Sequence, residues 1–316
     1  MDHPRSQTVQ EPQFLNSTTY EQVCKEIALE LESLQNPNKR EMIAVIKKSC
    51  SKHKIALIPG NQSILKYVSQ KSMIRRLLKV KPVKTASGVA VVAVMPKPFT
   101  CPHGKCIYCP GGVDVNVPLS YTGNEPCAKY AQQCNFDPFI QIQSKLNQLY
   151  SRGHGVDKIE LVIVGGTFPF FPTEYQRDFV KSSFDALNNT YSNDLKESME
   201  INEKAAKRCV GFTVETKPDY CKTTHVDIML ELGMTRVEIG VQSLQEDTYN
   251  VVNRGHTLHD VRESFQIARD AGYKIVAHMM PGLPSSSPSR DIDDFYKLYN
   301  DPAFKPDMLK IYPTLV

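Results

Sequence analysis

A chain of 316 residues with 41% apolar content can bury one large α/β domain and a smaller appendage. No stretch approaches the roughly 18 unbroken apolar residues that span a bilayer, and the opening MDHPRSQTVQEPQ has no secretory apolar segment, which argues for a cytoplasmic, non-membrane protein. Its net charge of +4 hides an asymmetry, because residues 1–100 hold sixteen basic against seven acidic side chains (+9) and residues 101–316 twenty-two against twenty-seven (−5).

Residues 1–18 lack periodicity and read as a flexible N-terminus. From Thr19, Val23, Ile27, Leu31 and Leu34 recur at helical spacing and stop before Asn36-Pro37-Asn38. A second helix is expected over about 40–50 with Ile43 and Ile46 inward, and a third over about 61–73 with Ile64, Leu65 and Val68. Between Met42 and Val113 there are thirteen Lys or Arg and no Asp or Glu. A tract this one-sided suits a polyanion or an acidic surface, or else a solvated basic face. These elements make a small basic helical domain, residues 19–81, with its boundary near Lys81-Pro82.

Beyond that boundary short apolar runs alternate with helical patterns. Strands are expected at 89–95, 159–164, 209–215, 236–241, 273–279 and 308–313. Capping boxes are read at Thr257 with Asp260 and at Thr224 with Asp227, and Gly272 and Gly233 close the respective helices. Apolar strands separated by helices indicate a parallel sheet with right-handed crossovers. Six strands fit a partial barrel over 82–316, with an open doubly wound sheet as the alternative.

Nine cysteines in a reducing compartment point to metal, catalysis or burial rather than disulfides. Three of them, Cys101, Cys106 and Cys109, fall in the loop CPHGKCIYCPGG directly after the first barrel strand. Thiolates serve iron–sulfur and zinc sites alike. A closed zinc site needs a fourth ligand, for which His103, Cys127 or Cys134 are candidates. A centre that must bind a substrate wants only three. The Gly111-Gly112 pair would let the chain pass close to a bulky centre. Further strand ends carry Gly165-Gly166-Thr167, whose bare backbone suits a ligand's amino group. Glu215 could hold a ribose hydroxyl or a cationic amine, and Gln242 and Met279 end the next two strands.

The ordered segments CPHGKCIYCPGG (101–112), SYTGNEP (120–126), FDP (136–138), VGGTF (164–168), ETKPD (215–219), RVEIGVQS (236–243), NRGHT (253–257) and MPGLP (280–284) resemble the Elongator catalytic-subunit family, in its archaeal form, within the radical S-adenosylmethionine enzymes. The resemblance covers nearly the whole chain. It implies an α/β fold, a partial (β/α)6 radical S-adenosylmethionine barrel preceded by the small basic helical domain. Cys101, Cys106 and Cys109 would ligate a [4Fe–4S] cluster. Gly165, Gly166, Thr167, Glu215 and Gln242 would contact S-adenosylmethionine, and Lys158 would contact acetyl-CoA. The implied activity is carboxymethylation of C5 of the tRNA wobble uridine, with the anticodon stem-loop as partner and an electron donor besides.

On this reading the basic tract, including Arg75, Arg76 and Lys79, would neutralise the tRNA backbone. Between Tyr121 and Phe136 the chain departs from the family's several arginines, offering Lys129 alone among polar residues. The family also carries an acetyltransferase-like domain after the barrel, whereas this sequence stops at Val316. The expectation is therefore a fragment lacking complete activity, whose exposed last edge could support a homo-oligomer. The competing reading is a zinc-stabilised, nonenzymatic RNA-binding module.

Overall fold

The strand-forming runs assemble in the order in which they are made. In the computed structural model, which describes residues 17–314, the strands are β1 (Ala90–Val94), β2 (Lys158–Ile163), β3 (Arg208–Thr216), β4 (Arg236–Gln242), β5 (Lys274–Met279) and β6 (Met308–Ile311). Each pairs in parallel with its chain neighbour, giving the sheet order β1-β2-β3-β4-β5-β6. A doubly wound sheet would reverse direction at a switch point. This one does not, and it curls into a six-stranded partial barrel. All carboxyl-terminal strand ends consequently lie on one face, and the loops that follow them share one mouth.

Twelve α-helices are described: α1 (Ser17–Ser33), α2 (Lys39–Lys52), α3 (Asn61–Leu65), α4 (Ile74–Leu78), α5 (Pro126–Gln133), α6 (Pro138–Ser151), α7 (Thr173–Asn188), α8 (Leu195–Asn202), α9 (Thr223–Glu231), α10 (Glu246–Val251), α11 (Leu258–Asp270) and α12 (Pro288–Asn300). Because β2, β4 and β5 are covered on both faces over most of their length, their apolar runs are nearly continuous. Val92, Leu161, Phe212, Val237, Ile239 and Ala277 are at most 1% exposed. Val261, Phe265 and Ala268 of α11 are buried on one face, and the expected Thr257–Asp260 capping box is formed.

The chain divides into two packed units. One runs through Lys84 and takes in Gln148–His154; the other comprises Thr85–Asn147 and the chain from Gly155. The first unit is held by Val23, Ile27, Leu31, Met42, Val45, Ile46, Ile64, Leu65, Val68, Ile74 and Leu78. Within it Arg75 lies 5.5 Å over the Tyr150 ring, and the Val80 amide donates to the Arg152 carbonyl.

Several local expectations need correction. The loose stretch read over 1–18 lies outside the described residues up to 16, and Ser17 and Thr18 already belong to α1. Leu34 falls beyond the end of α1 and is exposed, while the inward face of α2 is Met42, Val45, Ile46 and Cys50, leaving Ile43 out. The third helix ends at Leu65 rather than near 73. There the Arg75 guanidinium donates to the carbonyls of Leu65 and Val68, which a longer helix would have used itself. The Thr224–Asp227 box does not form: α9 starts two residues earlier, with Lys222 at the cap and its amide donating to His225 Nδ1.

Candidate active site

A cavity of about 450 Å³ opens at the carboxyl-terminal face of the barrel. Its wall includes Cys101, Cys106 and Cys109 from the loop after β1, Gly166 and Thr167 after β2, Glu215 on β3 and Gln242 on β4. Gly165 joins them through its amide, which donates to Glu215 Oε2 at 2.8 Å. Gly166 donates to the same oxygen at 3.5 Å. Both glycines take positive φ, 123° and 98°, so the turn presents backbone where a side chain would otherwise stand. Thus eight of the nine sequence-derived site residues meet at one place.

Lys158 does not meet them. It is exposed and begins β2, at the opposite end of a six-residue strand from the cavity, about 17–20 Å away along the rise of the strand. Met279 is buried outside the cavity wall, to which its neighbour Met280 contributes. Cys127 and Cys134 are also absent from that wall; burial pushes the Cys127 thiol up to about 11. Gly111 is needed for a nearer reason than the one its sequence suggested. A Cβ there would stand 2.4 Å from the Pro118 carbonyl, so the loop's own return path requires the glycine.

The cysteine loop is surrounded by donors. Cys109 Sγ accepts from the Ser120 amide at 3.2 Å, Cys106 Sγ faces His103 Nε2 at 3.3 Å, and Cys101 Sγ lies 4.0 Å from Thr167 Oγ1. Burial pushes the Cys101 and Cys109 thiols above their ordinary range. Lys217 is buried, paired with Asp219 at 3.2 Å, and its ammonium also reaches His103 Nδ1 at 2.9 Å. An ammonium can only donate, so Nδ1 accepts and Nε2 carries the hydrogen toward Cys106. Burial, with Lys217 and Arg254 nearby, lowers the His103 pKa to about 4 and keeps the ring neutral. Arg254 Nη1 lies 3.7 Å from Cys106 Sγ.

Across the cavity is a second polar cluster that sequence reasoning did not single out. Glu238 Oε2 accepts from His278 Nε2 at 3.0 Å and from Lys310 Nζ at 2.5 Å. Burial opposes ionisation of Glu238, but these two partners hold its carboxyl below the usual range. Tyr121 donates to Glu215 Oε1 at 3.3 Å. Gln242 Oε1 is buried with no partner among the described residues and belongs to a side chain that lines the cavity. A signal was available: Glu238 and His278 are polar residues within the apolar strand runs RVEIGVQ and KIVAHM, where a scaffold would place apolar ones.

The donor set can be tested against the two metals left open by the sequence. Tetrahedral zinc with Zn–S bonds of about 2.3 Å brings its sulfurs to about 3.8 Å from one another. Among the described residues, the set of three or more His, Cys, Asp or Glu ligand atoms lying within 4.8 Å of one another is Glu215, Glu238 and His278, and the three cysteines do not form such a set. The three thiols thus do not close into a compact zinc-like set with one another, and His103 turns a hydrogen, not a lone pair, toward Cys106. Three thiols on one cavity wall are the donor set of a three-thiolate iron–sulfur centre, and the buried Lys217 and Arg254 beside them suit its negative charge.

The parallel partial barrel with a three-cysteine loop after its first strand defines a radical S-adenosylmethionine scaffold. The family model described as Radical SAM superfamily matches residues 96–298, and the chain belongs to that superfamily. The model described as ELP3 N-terminal domain matches residues 20–86, so the resemblance to the Elongator catalytic subunit extends to the helical unit. The tRNA uridine(34) acetyltransferase of Methanocaldococcus infernus is 48% identical over 263 residues, 82% of this chain and 49% of the relative. Elongator complex protein 3 of Saccharomyces cerevisiae is 45% identical over 308 residues, 93% of this chain and 55% of the relative. The solved structure of the archaeal Methanocaldococcus infernus Elp3 with an N-terminal deletion superposes with a TM-score of 0.61 at 40% identity, covering 72% of this chain and 46% of that one. The chain thus spans about half the length of the curated relatives it matches.

Proposed function

We propose that this chain is the radical S-adenosylmethionine portion of a tRNA-modifying enzyme that carboxymethylates C5 of the wobble uridine using acetyl-CoA. The observation that carries the reading is the convergence of three thiols and the glycine-clamped Glu215 on one cavity. The printed name of the Methanocaldococcus relative supports uridine 34 of tRNA as the target and an acetyl group as the donor.

Cys101, Cys106 and Cys109 would hold a [4Fe–4S] centre, which when bound supplies the electron that cleaves S-adenosylmethionine. The remaining work falls to the protein. Gly165 and Gly166 fix Glu215 through their amides, so its carboxylate is oriented before any ligand arrives. A ribose hydroxyl or an amine entering the cavity would find Glu215 on β3, and Gln242 Oε1 on β4 offers an acceptor with no internal partner. Tyr121, held by Glu215, and the Glu238–His278 pair form walls that limit water around a reactive species. Lys158, distant from this cavity, would serve the nucleotide end of acetyl-CoA and not the reacting carbons.

The helical unit supplies the tRNA-binding charge in this reading. Lys48 and Lys52 are answered by Glu30 and Glu26. Lys66, Lys71, Arg76, Lys79 and Lys81 have no acidic partner among the described residues, which leaves them for phosphates. A test is anaerobic cluster reconstitution followed by reduction in the presence of S-adenosylmethionine. 5′-Deoxyadenosine should form with the unaltered chain and vanish in Cys106→Ala. Undiminished product from Cys106→Ala would reject the ligand assignment.

A further inference from the structure

Beneath the cysteine loop lies a guanidinium with no carboxylate partner among the described residues. Arg254 follows α10 and is 7% exposed. Its Nη2 donates to the Gly240 carbonyl at 2.6 Å, where the pairing of β4 with β5 is interrupted between Ile239 and Gln242. Its Nη1 points to Cys106 Sγ at 3.7 Å, and its Nε is buried without a partner among the described residues. The neighbouring buried cation, Lys217, is paired with Asp219, whereas Arg254 forms no ion pair with a carboxylate among the described residues and has Tyr108, Cys106 and Cys101 as near neighbours.

The backbone is shaped to admit this side chain: a Cβ on Gly240 would stand 2.6 Å from Arg254 Nη2. A buried, unpaired charge is strongly unfavourable in a folded protein. A fold that keeps one, with a glycine at Gly240 making room for it, implies an anion that arrives later.

We propose that Arg254 is the counter-charge of the centre held by Cys101, Cys106 and Cys109, and that it raises the reduction potential of that centre. This rests on reading the centre as a [4Fe–4S] cluster. Such a cluster on three thiolates carries one net negative charge when oxidised and two when reduced. A fixed positive charge in a low-dielectric pocket favours the more negative state, so it makes the one-electron reduction easier. The electron comes from the external one-electron donor that the chemistry already requires, and Arg254 itself is neither oxidised nor reduced. Arg254 acts through the centre and is therefore a positioning residue, not a catalytic one.

The test compares Arg254→Lys, which keeps the charge, with Arg254→Gln, which keeps an amide donor for the Gly240 carbonyl but no charge. Both are made in the full chain, reconstituted anaerobically, and titrated with redox mediators while the reduced cluster is read by electron paramagnetic resonance. At the poise where the unaltered protein is half reduced, Arg254→Gln should show a reduced-to-oxidised ratio at least tenfold lower, about 59 mV for one electron. Arg254→Lys should stay within about threefold of the unaltered protein. A folded Arg254→Gln that takes up no iron or sulfide, beside an Arg254→Lys that does, also supports the proposal. Arg254→Gln with full iron and sulfide at the unaltered potential overturns it, as do equal shifts or equal loss of the cluster in both variants. Failure of the unaltered chain to take up a cluster overturns the reading beneath it, and is recognised before any variant is compared.

Discussion

Replacing Gly255 by alanine probes the packing under the cysteine loop with a control built into the same unit. Gly255 has φ +74°, and a Cβ there would lie 2.3 Å from His103 Cβ and 2.5 Å from its Cγ. Gly272 has a similar φ of +81°, with nothing within 4 Å of its would-be Cβ. The backbone cost of alanine in the left-handed region is about 1–2 kcal/mol at either position. At Gly255 an overpacking cost of about 1–3 kcal/mol is added, because His103 is tied at both ring nitrogens, to Lys217 and Cys106. Gly255→Ala should therefore lose about 2–5 kcal/mol and Gly272→Ala about 1–2 kcal/mol. Urea unfolding of the metal-free, reduced protein measures both. Thiol labelling supplies a second readout: Cys106, 6% exposed, should react faster in Gly255→Ala and unchanged in Gly272→Ala. Equal losses in the two variants, with equal labelling, would refute the claim that His103 is held tightly beneath the loop.

Other outcomes follow from the same structure. Thr257→Ala removes the acceptor for the Asp260 amide at the start of α11 and should cost about 1 kcal/mol in the same unfolding assay. Asp260 itself is partly buried, which opposes ionisation, yet its bonds to Lys222 and Thr257 hold it down to about 2. A carboxyl depressed in the folded state contributes stability that is whole above its unfolded value of about 3.9 and is lost as pH falls toward 2. Asp260→Asn should accordingly flatten the acid unfolding curve between those limits and leave its shape above pH 5 unchanged. Glu215→Gln keeps an acceptor for the Gly165 amide but removes the charge; S-adenosylmethionine affinity should fall about tenfold by calorimetry, the scale of one charged hydrogen bond, and an unchanged affinity would remove Glu215 from the site. Arg76→Ala and Lys79→Ala should each reduce the salt slope of tRNA binding by about one. Arg75→Ala should instead destabilise the helical unit by about 1–3 kcal/mol, since it strips the donors from the Leu65 and Val68 carbonyls.

The barrel was legible because its information is local and repeated. Each strand is a short apolar run, α11 has a readable start and end, and all six strands fall within two residues of their expected limits. The cysteine loop and the Gly165-Gly166 turn were legible for a related reason: both follow strand ends, and parallel strands put their ends on one face. The inward face of α2 was harder. Ile43 is as apolar as Ile46, and only packing against α1 decides that Met42 and Val45 are buried in its place. The structural part played by Arg75 was not legible, because a basic residue in a basic tract gives no sign that it caps carbonyls ten and seven residues back. The cationic bed was the least accessible part. Arg254 and Lys217 lie far from Cys106 in the chain, and nothing in NRGHT or ETKPD alone says that both project beneath the same loop.

The measurement that bears most directly on the central claim is metal and sulfide analysis of the chain purified and reconstituted without oxygen. Close to four irons and four sulfides per chain are expected, with a reducible cluster signal that requires Cys101, Cys106 and Cys109 together. Stoichiometric zinc with no iron after reconstitution would contradict the account.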